Sequence, residues 1–210
     1  MSLILYHYVH CPYCVRVRMA LGFLGLEYQS RVVPYDDQET PVKLTGVKML
    51  PILSLNGKPM NESLDIIRAL DQDNKLQSHV DKSSAENFIK AINNPVHSLA
   101  MPYWIHTPEF TDSARLYFLK QKEAKRGPFK DLVKKAPHFI EELAPLLKGL
   151  QERIHPYFES DRIRITDIMI AAHLWGLYVV PEFQFPEKIH DYLQRIKQDC
   201  RFNYHQDYWS

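Results

Sequence analysis

The chain has 210 residues, 45% hydrophobic and 24% charged, a balance that supports a folded globular protein and excludes a disordered one. Its 26 Lys and Arg stand against 25 Asp and Glu, a net charge of +1; nucleic-acid-binding and membrane-surface proteins normally carry a basic excess, so neither partner is expected. Three cysteines are too few, and odd in number, for a secreted disulfide framework, so a reducing compartment, the cytoplasm, is expected.

The elements follow in chain order. The first residues lack the basic stretch of a signal peptide,. Leu3-Ile4-Leu5-Tyr6 reads as a short strand. Val17, Ala20, Leu21 and Leu24 repeat at helical spacing, with Gly25 as a stop,. Tyr28 to Val33 reads as a second strand. Thr40-Pro41 reads as an N-cap followed by proline at the first helical position, in a short helix ending near Gly46,.

Pro51 to Leu55 is a third strand, and Asn56-Gly57 predicts a tight hairpin turn into Lys58-Pro59-Met60,. Pro59 donates no hydrogen bond, which marks that strand as an edge. Glu62-Ser63 opens a helix through Ile66, Ile67 and Leu70. The order is β-α-β-α-β-β-α over residues 1–72.

Residues 73–82 read as a polar linker, and beyond it strand signals disappear. Residues 83–210 are expected to be all-helical. Ser83 and Glu86 form a capping-box pattern, and Pro95 or Pro102 is expected to kink or break the helix that follows,. Helical patterns recur at 111–125, 130–155, 166–180 and 187–199. The apolar run Ile168 to Val180 is too short to span a bilayer and reads as a buried helix,.

Cys11-Pro12-Tyr13-Cys14 falls where the first strand hands over to the first helix. At a helix N-terminus, unpaired N–H groups and the positive dipole end favour a thiolate over a thiol. Cys14 stands one turn inside, within reach of a mixed disulfide formed at Cys11, so Cys11 attacks and Cys14 resolves. Two other readings stand beside redox chemistry. The pair could be buried structural thiols, or it could join His7 and His10 as zinc ligands. Structural zinc, however, draws on two separated ligand pairs.

The Cys-Pro-Tyr-Cys block resembles the dithiol glutaredoxin motif. With Asp36-Asp37, Glu39-Thr40-Pro41, Gly46, Lys48, Leu50-Pro51-Ile52-Leu53 and Met60 through Ile66, the chain resembles the bacterial glutaredoxin 2 family, the long glutaredoxins. The resemblance implies a thioredoxin-like βαβαββα domain followed by an all-α domain, in glutathione-transferase-like architecture. It further implies glutathione as co-substrate, with no metal. Leu50-Pro51 would carry a cis bond whose preceding backbone pairs with the cysteinyl part of glutathione. Glu62 would meet the glutamyl ammonium, and Ser63 with its helix N-terminus the carboxylate. Lys48 would meet the glycine carboxylate or stand solvated, and Tyr13 would form the exposed aromatic rim. His10 and Arg16 would add positive potential around Cys11, while Cys200 reads as an incidental thiol.

Two departures are visible. Asn61-Glu62-Ser63 takes the place of the Gly-Gly motif of small glutaredoxins. Transferase-like folds also cap a core helix with Ser or Thr three residues before an Asp; here Arg164 precedes Asp167, so the cap is expected to shift to Thr166 or be lost. The expected function is a glutathione-dependent thiol–disulfide oxidoreductase that reduces glutathione mixed disulfides and protein disulfides. The alternatives are a glutathione transferase conjugating electrophiles and a non-catalytic interaction module.

Overall fold

The computed structural model describes residues 2–203. Strand β1 (Leu3–His7) buries Leu3, Leu5 and His7 on one face and lies at the centre of a four-stranded sheet of order β2-β1-β3-β4. It pairs in parallel with β2 (Gln29–Val32), with Leu5 opposite Ser30, and antiparallel with β3 (Ile52–Leu55), with Leu5 opposite Leu53. The parallel pair needs a crossover, and α1 (Pro12–Phe23) supplies it,.

A tight hairpin joins β3 to the edge strand β4 (Lys58–Met60), with Asn56 and Gly57 at φ 49° and 84°. Both central residues of such a turn need positive φ. Helix α2 (Glu39–Thr45) contacts β4, while α3 (Ser63–Leu70) packs on α1. This is the thioredoxin-like βαβαββα arrangement.

Among the described residues seven further helical elements follow. They are α4 (Ser83–Trp104), α5 (Asp112–Arg126), α6 (Phe129–Lys134), α7 (Ala136–Arg153), α8 (Ile165–Leu174), a 3₁₀ turn (Trp175–Val179) and α9 (Glu187–Asp199). All ten residues of α8 are buried. That helix is the axis of the second half, packed on α4 on one side and on α1 on the other. The segment between α3 and α4 is tied down: the Asp71 carboxylate accepts the Lys75 and Leu76 N–H groups, and Leu76 is fully buried. Residues 204–210 of the expected helical domain lie outside the described residues. Among the described residues no helix is long and apolar enough to cross a membrane.

Several local expectations are corrected. Thr40 does not cap α2; the helix starts at Glu39, and Asp37 accepts the Thr40 N–H at 2.9 Å and its hydroxyl at 2.6 Å. Ser83 and Glu86 form no capping box, because Asp81 takes both the Ser83 N–H and its hydroxyl. Neither Pro95 nor Pro102 ends α4. Both are buried in it, and packing of a long apolar face outweighs the roughly 3 kcal/mol that an interior proline costs.

The 130–155 pattern divides at Lys135 into α6 and α7. The 166–180 pattern starts one residue early and tightens to 3₁₀ at Trp175. Its cap is neither lost nor moved to Thr166: Arg164 occupies the cap position, and the Asp167 carboxylate accepts its N–H at 2.8 Å.

Candidate active site

Strand β1 ends at His7, and the chain bends at Val9 and His10 and is extended at Cys11 (φ −71°, ψ 124°) before Pro12 opens α1. Proline costs no hydrogen bond at the first helical position. Cys11 is therefore the N-cap residue, half-buried, while Cys14 lies wholly buried one turn inside, among Val33, Leu50 and Ile52. No disulfide joins them.

Position separates the two thiols chemically. The Cys14 S–H donates to Cys11, the Cys14 and Tyr13 N–H groups point at it, and the Arg16 guanidinium adds positive potential. Against the opposing effect of burial, these bring the Cys11 pKa down to about 7. Burial and the same hydrogen bond push the Cys14 thiol well up. One cysteine is poised as a nucleophile at neutral pH and the other is held protonated.

Arg16 links this pair to α3. Its guanidinium is buried, donates to Ser63 Oγ at 3.1 Å and stacks over the Tyr13 ring at 5.1 Å. Burial lowers the Arg16 pKa to about 10, so it remains charged at neutral pH. Tyr13 is 51% exposed and forms the rim. Glu62, directly before Ser63, is exposed and holds φ 68°, ψ 104°, a left-handed conformation that costs a non-glycine residue energy and tends to cluster at functional sites. The Leu50–Pro51 bond is cis. Lys48 is exposed, with its Nζ 3.4 Å from both the Tyr35 carbonyl and the Tyr117 hydroxyl.

Cys11 opens into a cavity of about 200 Å3. Its near wall is Tyr8, His10, Pro12, Tyr13, Tyr35 and Leu50; its far wall is His97, Met101 and Trp104 from α4 with Phe118 and Lys122 from α5. Cys11, Tyr13 and Leu50 thus converge on one space. Ser63 is tied to it through Arg16, and Lys48 through the Tyr35 ring, 5.7 Å away. Pro51 and Glu62 lie outside the lining.

One expectation fails here. His10 adds no positive charge, because burial lowers its pKa to about 3 and leaves it neutral. It packs instead between Tyr8, Phe110, Trp104 and Phe118 as an aromatic. Cys200 is buried, and burial pushes its thiol well up. Among the described residues no group of three or more His, Cys, Asp or Glu is arranged to hold a metal ion. The far-wall residues escaped the sequence, since helical periodicity marks which residues are apolar but not which half of the chain they face. Tyr35, beside the Asp36-Asp37 pair, was the nearest available signal.

Comparison with known proteins adds independent findings. The family model for the glutaredoxin 2 C-terminal domain matches residues 84–207, and that for a glutathione S-transferase N-terminal domain matches residues 5–78. Glutaredoxin 2 of Escherichia coli K12 is 31% identical over 206 residues, covering 95% of this chain and 96% of the relative. The crystal structure of glutaredoxin 2 from Salmonella typhimurium, in complex with glutathione, superposes with a TM-score of 0.89. It is 28% identical and covers 99% of this chain and 98% of that one. Glutathione transferase GSTFuA2 from Phanerochaete chrysosporium shares the fold at a TM-score of 0.73 and 17% identity, covering 97% of this chain and 100% of that one.

Proposed function

The chain belongs to the glutaredoxin 2 family and is a glutathione-dependent thiol–disulfide oxidoreductase; from that premise we propose that Cys11 is its attacking thiolate and Cys14 its resolving thiol. The observation that carries the assignment is placement: Cys11 is the half-buried N-cap residue that lines the cavity and Cys14 is wholly buried one turn inside, a difference that shifts the two thiols in opposite directions.

In the monothiol route the Cys11 thiolate attacks the glutathionyl sulfur of a mixed disulfide. The new Cys11–glutathione bond forms as the old S–S bond breaks, and the substrate leaves as a thiolate that takes up a proton. A second glutathione thiolate then attacks the glutathionyl sulfur, giving oxidised glutathione and regenerating the Cys11 thiolate. For a protein disulfide, Cys11 forms the mixed disulfide. Cys14 then loses its proton and attacks the Cys11 sulfur, releasing the reduced protein. Two glutathiones reduce the resulting Cys11–Cys14 disulfide.

Glutathione occupies the cavity at Cys11, its cysteinyl part along Leu50 and Pro51 beneath the Tyr13 rim. Ser63, held by the buried Arg16, and the first N–H groups of α3 meet the glutamyl carboxylate; Glu62 meets its ammonium, and Lys48 the glycine carboxylate. Glutathionylated and disulfide-containing proteins are the substrates. A cytoplasmic setting belongs to the same reading, supported by three cysteines of which none is paired. Electrophile conjugation as the main activity leaves Cys14 without a role.

Cys11→Ser is expected to lower turnover of a glutathionylated peptide at least about a thousandfold, while Cys14→Ser keeps it within about tenfold of the parent. Equal loss in both variants contradicts the assignment.

A further inference from the structure

Behind the far wall lies a second, larger cavity of about 530 Å3. Its floor is apolar, with Met101, Leu132 and Phe139 buried. Its charged lining is wholly cationic, with Lys122, Lys125 and Arg126 on α5 and Lys135 between α6 and α7 beside the neutral Asn94 and Ser98 of α4, and with no Asp or Glu. Among the described residues no carboxylate lies within 4.0 Å of any of these four. Glu123, their nearest acidic neighbour on α5, is engaged elsewhere and accepts the Phe129 N–H at 2.6 Å.

Arg126 is aimed rather than loose. Its Nη1 donates to Asn94 Oδ1 at 3.2 Å and Ser98 Oγ at 3.3 Å, neutral acceptors that orient the guanidinium without neutralising it. The concentration of charge is local, since residues 120–135 carry seven Lys and Arg against two Asp and Glu in a chain of net charge +1. Burial lowers the Arg126 pKa, and burial together with the Arg126 charge lowers that of Lys122, so both cations gain from an incoming anion.

The cavity adjoins the active site, because Met101 and Lys122 line both. A ligand seated here is therefore a neighbour of whatever is bound at Cys11. We propose that this cavity is a substrate subsite that receives acidic side chains flanking the reactive cysteine of a protein substrate. The inference rests on the oxidoreductase reading and names the substrate class of that same site.

Charge spread over several elements and an open, roomy shape suit a segment carrying more than one carboxylate. Exposed Lys125 and Lys135 reach beyond the cavity, where they also steer an acidic partner toward Cys11.

The test uses two glutathionylated peptides of equal length, one with Asp and Glu flanking the cysteine, the other with Asn and Gln. Hydroxyethyl disulfide with glutathione serves as the small substrate. The expected result is a kcat/KM about tenfold higher for the acidic peptide, an advantage that shrinks as ionic strength rises. The double variant Lys125→Glu, Lys135→Glu is expected to lose that preference and to turn over hydroxyethyl disulfide as the parent does.

Equal kcat/KM for the two peptides, or a preference that survives in the variant, overturns the proposal. Inorganic phosphate that inhibits both peptides equally, without any acidic preference, identifies a free-anion site and overturns it too. A parent enzyme that fails on hydroxyethyl disulfide overturns instead the oxidoreductase assignment on which the proposal rests.

Discussion

Cys11 and Cys14 are the same residue three positions apart, and their difference is one of solvent and donors. Cys11 stands where helical N–H groups and Arg16 stabilise negative charge; Cys14 is enclosed by Val33, Leu50 and Ile52. The pH dependence has a definite sign. With a pKa of about 7, against about 8.5 for a free thiol, the Cys11 thiolate accumulates as pH rises through neutrality. Alkylation by iodoacetamide in the Cys14→Ser background is expected to rise with pH, and at pH 6 to run below about a tenth of its plateau rate. Loss of the Cys14 donor moves the midpoint upward. Arg16→Gln is expected to move it further up, because the positive charge is gone. A midpoint in the single variant unaffected by Arg16→Gln leaves that guanidinium with Ser63 alone. The dithiol motif made the two cysteines legible in the sequence. Which way His10 would act was not, since its charge is decided by the aromatic rings folded around it.

At the scale of elements, helices were legible from periodicity while their beginnings were not. Three expected hydroxyl or shifted caps are replaced by carboxylates: Asp37 before α2, Asp81 before α4 and Asp167 within the first turn of α8. A carboxylate satisfies free N–H groups and also meets the positive dipole end. Asp167 reaches furthest, since it also accepts the Phe158 N–H at 2.7 Å and the Tyr192 hydroxyl at 2.9 Å. Burial raises its pKa to about 6. The folded state thus binds this proton more tightly than the unfolded chain does. Its contribution is fully present below about pH 4 and is lost as pH rises through about 6,. The loss is on the order of 3 kcal/mol. Urea unfolding of the parent and of Asp167→Asn across that range should show the parent losing stability relative to the variant. Parallel curves remove Asp167 as the titrating group.

At the scale of the whole molecule, α1 is the part shared by both halves. Its first turn carries the dithiol, one side packs on α3, and the other meets α8 and α9. Gly22 lets the end of α9 come close: a Cβ there would lie 1.7 Å from the Cys200 carbonyl oxygen. Since that atom is backbone, it cannot rotate away. Gly22→Ala is expected to cost about 3 kcal/mol and to lower Tm by about 8 °C. Cys200, inert when buried, should then react with a thiol reagent in the native protein. An unchanged Tm shows that the chain end moves freely.

The sequence by itself determined the order of strands and helices, the division into an α/β half and a helical half, and the pair of cysteines at a helix start. Each depends on local pattern: alternation, 3.6-residue periodicity, a proline in the first turn. Only the tertiary structure decided what surrounds that pair. It brought Met101, Trp104, Phe118 and Lys122 across from the helical half, joined Arg16 to Ser63 and gathered the α5 cations around one cavity. These residues are far apart along the chain, and burial, charge neutralisation and hydrogen-bond geometry are set by neighbours that only folding supplies.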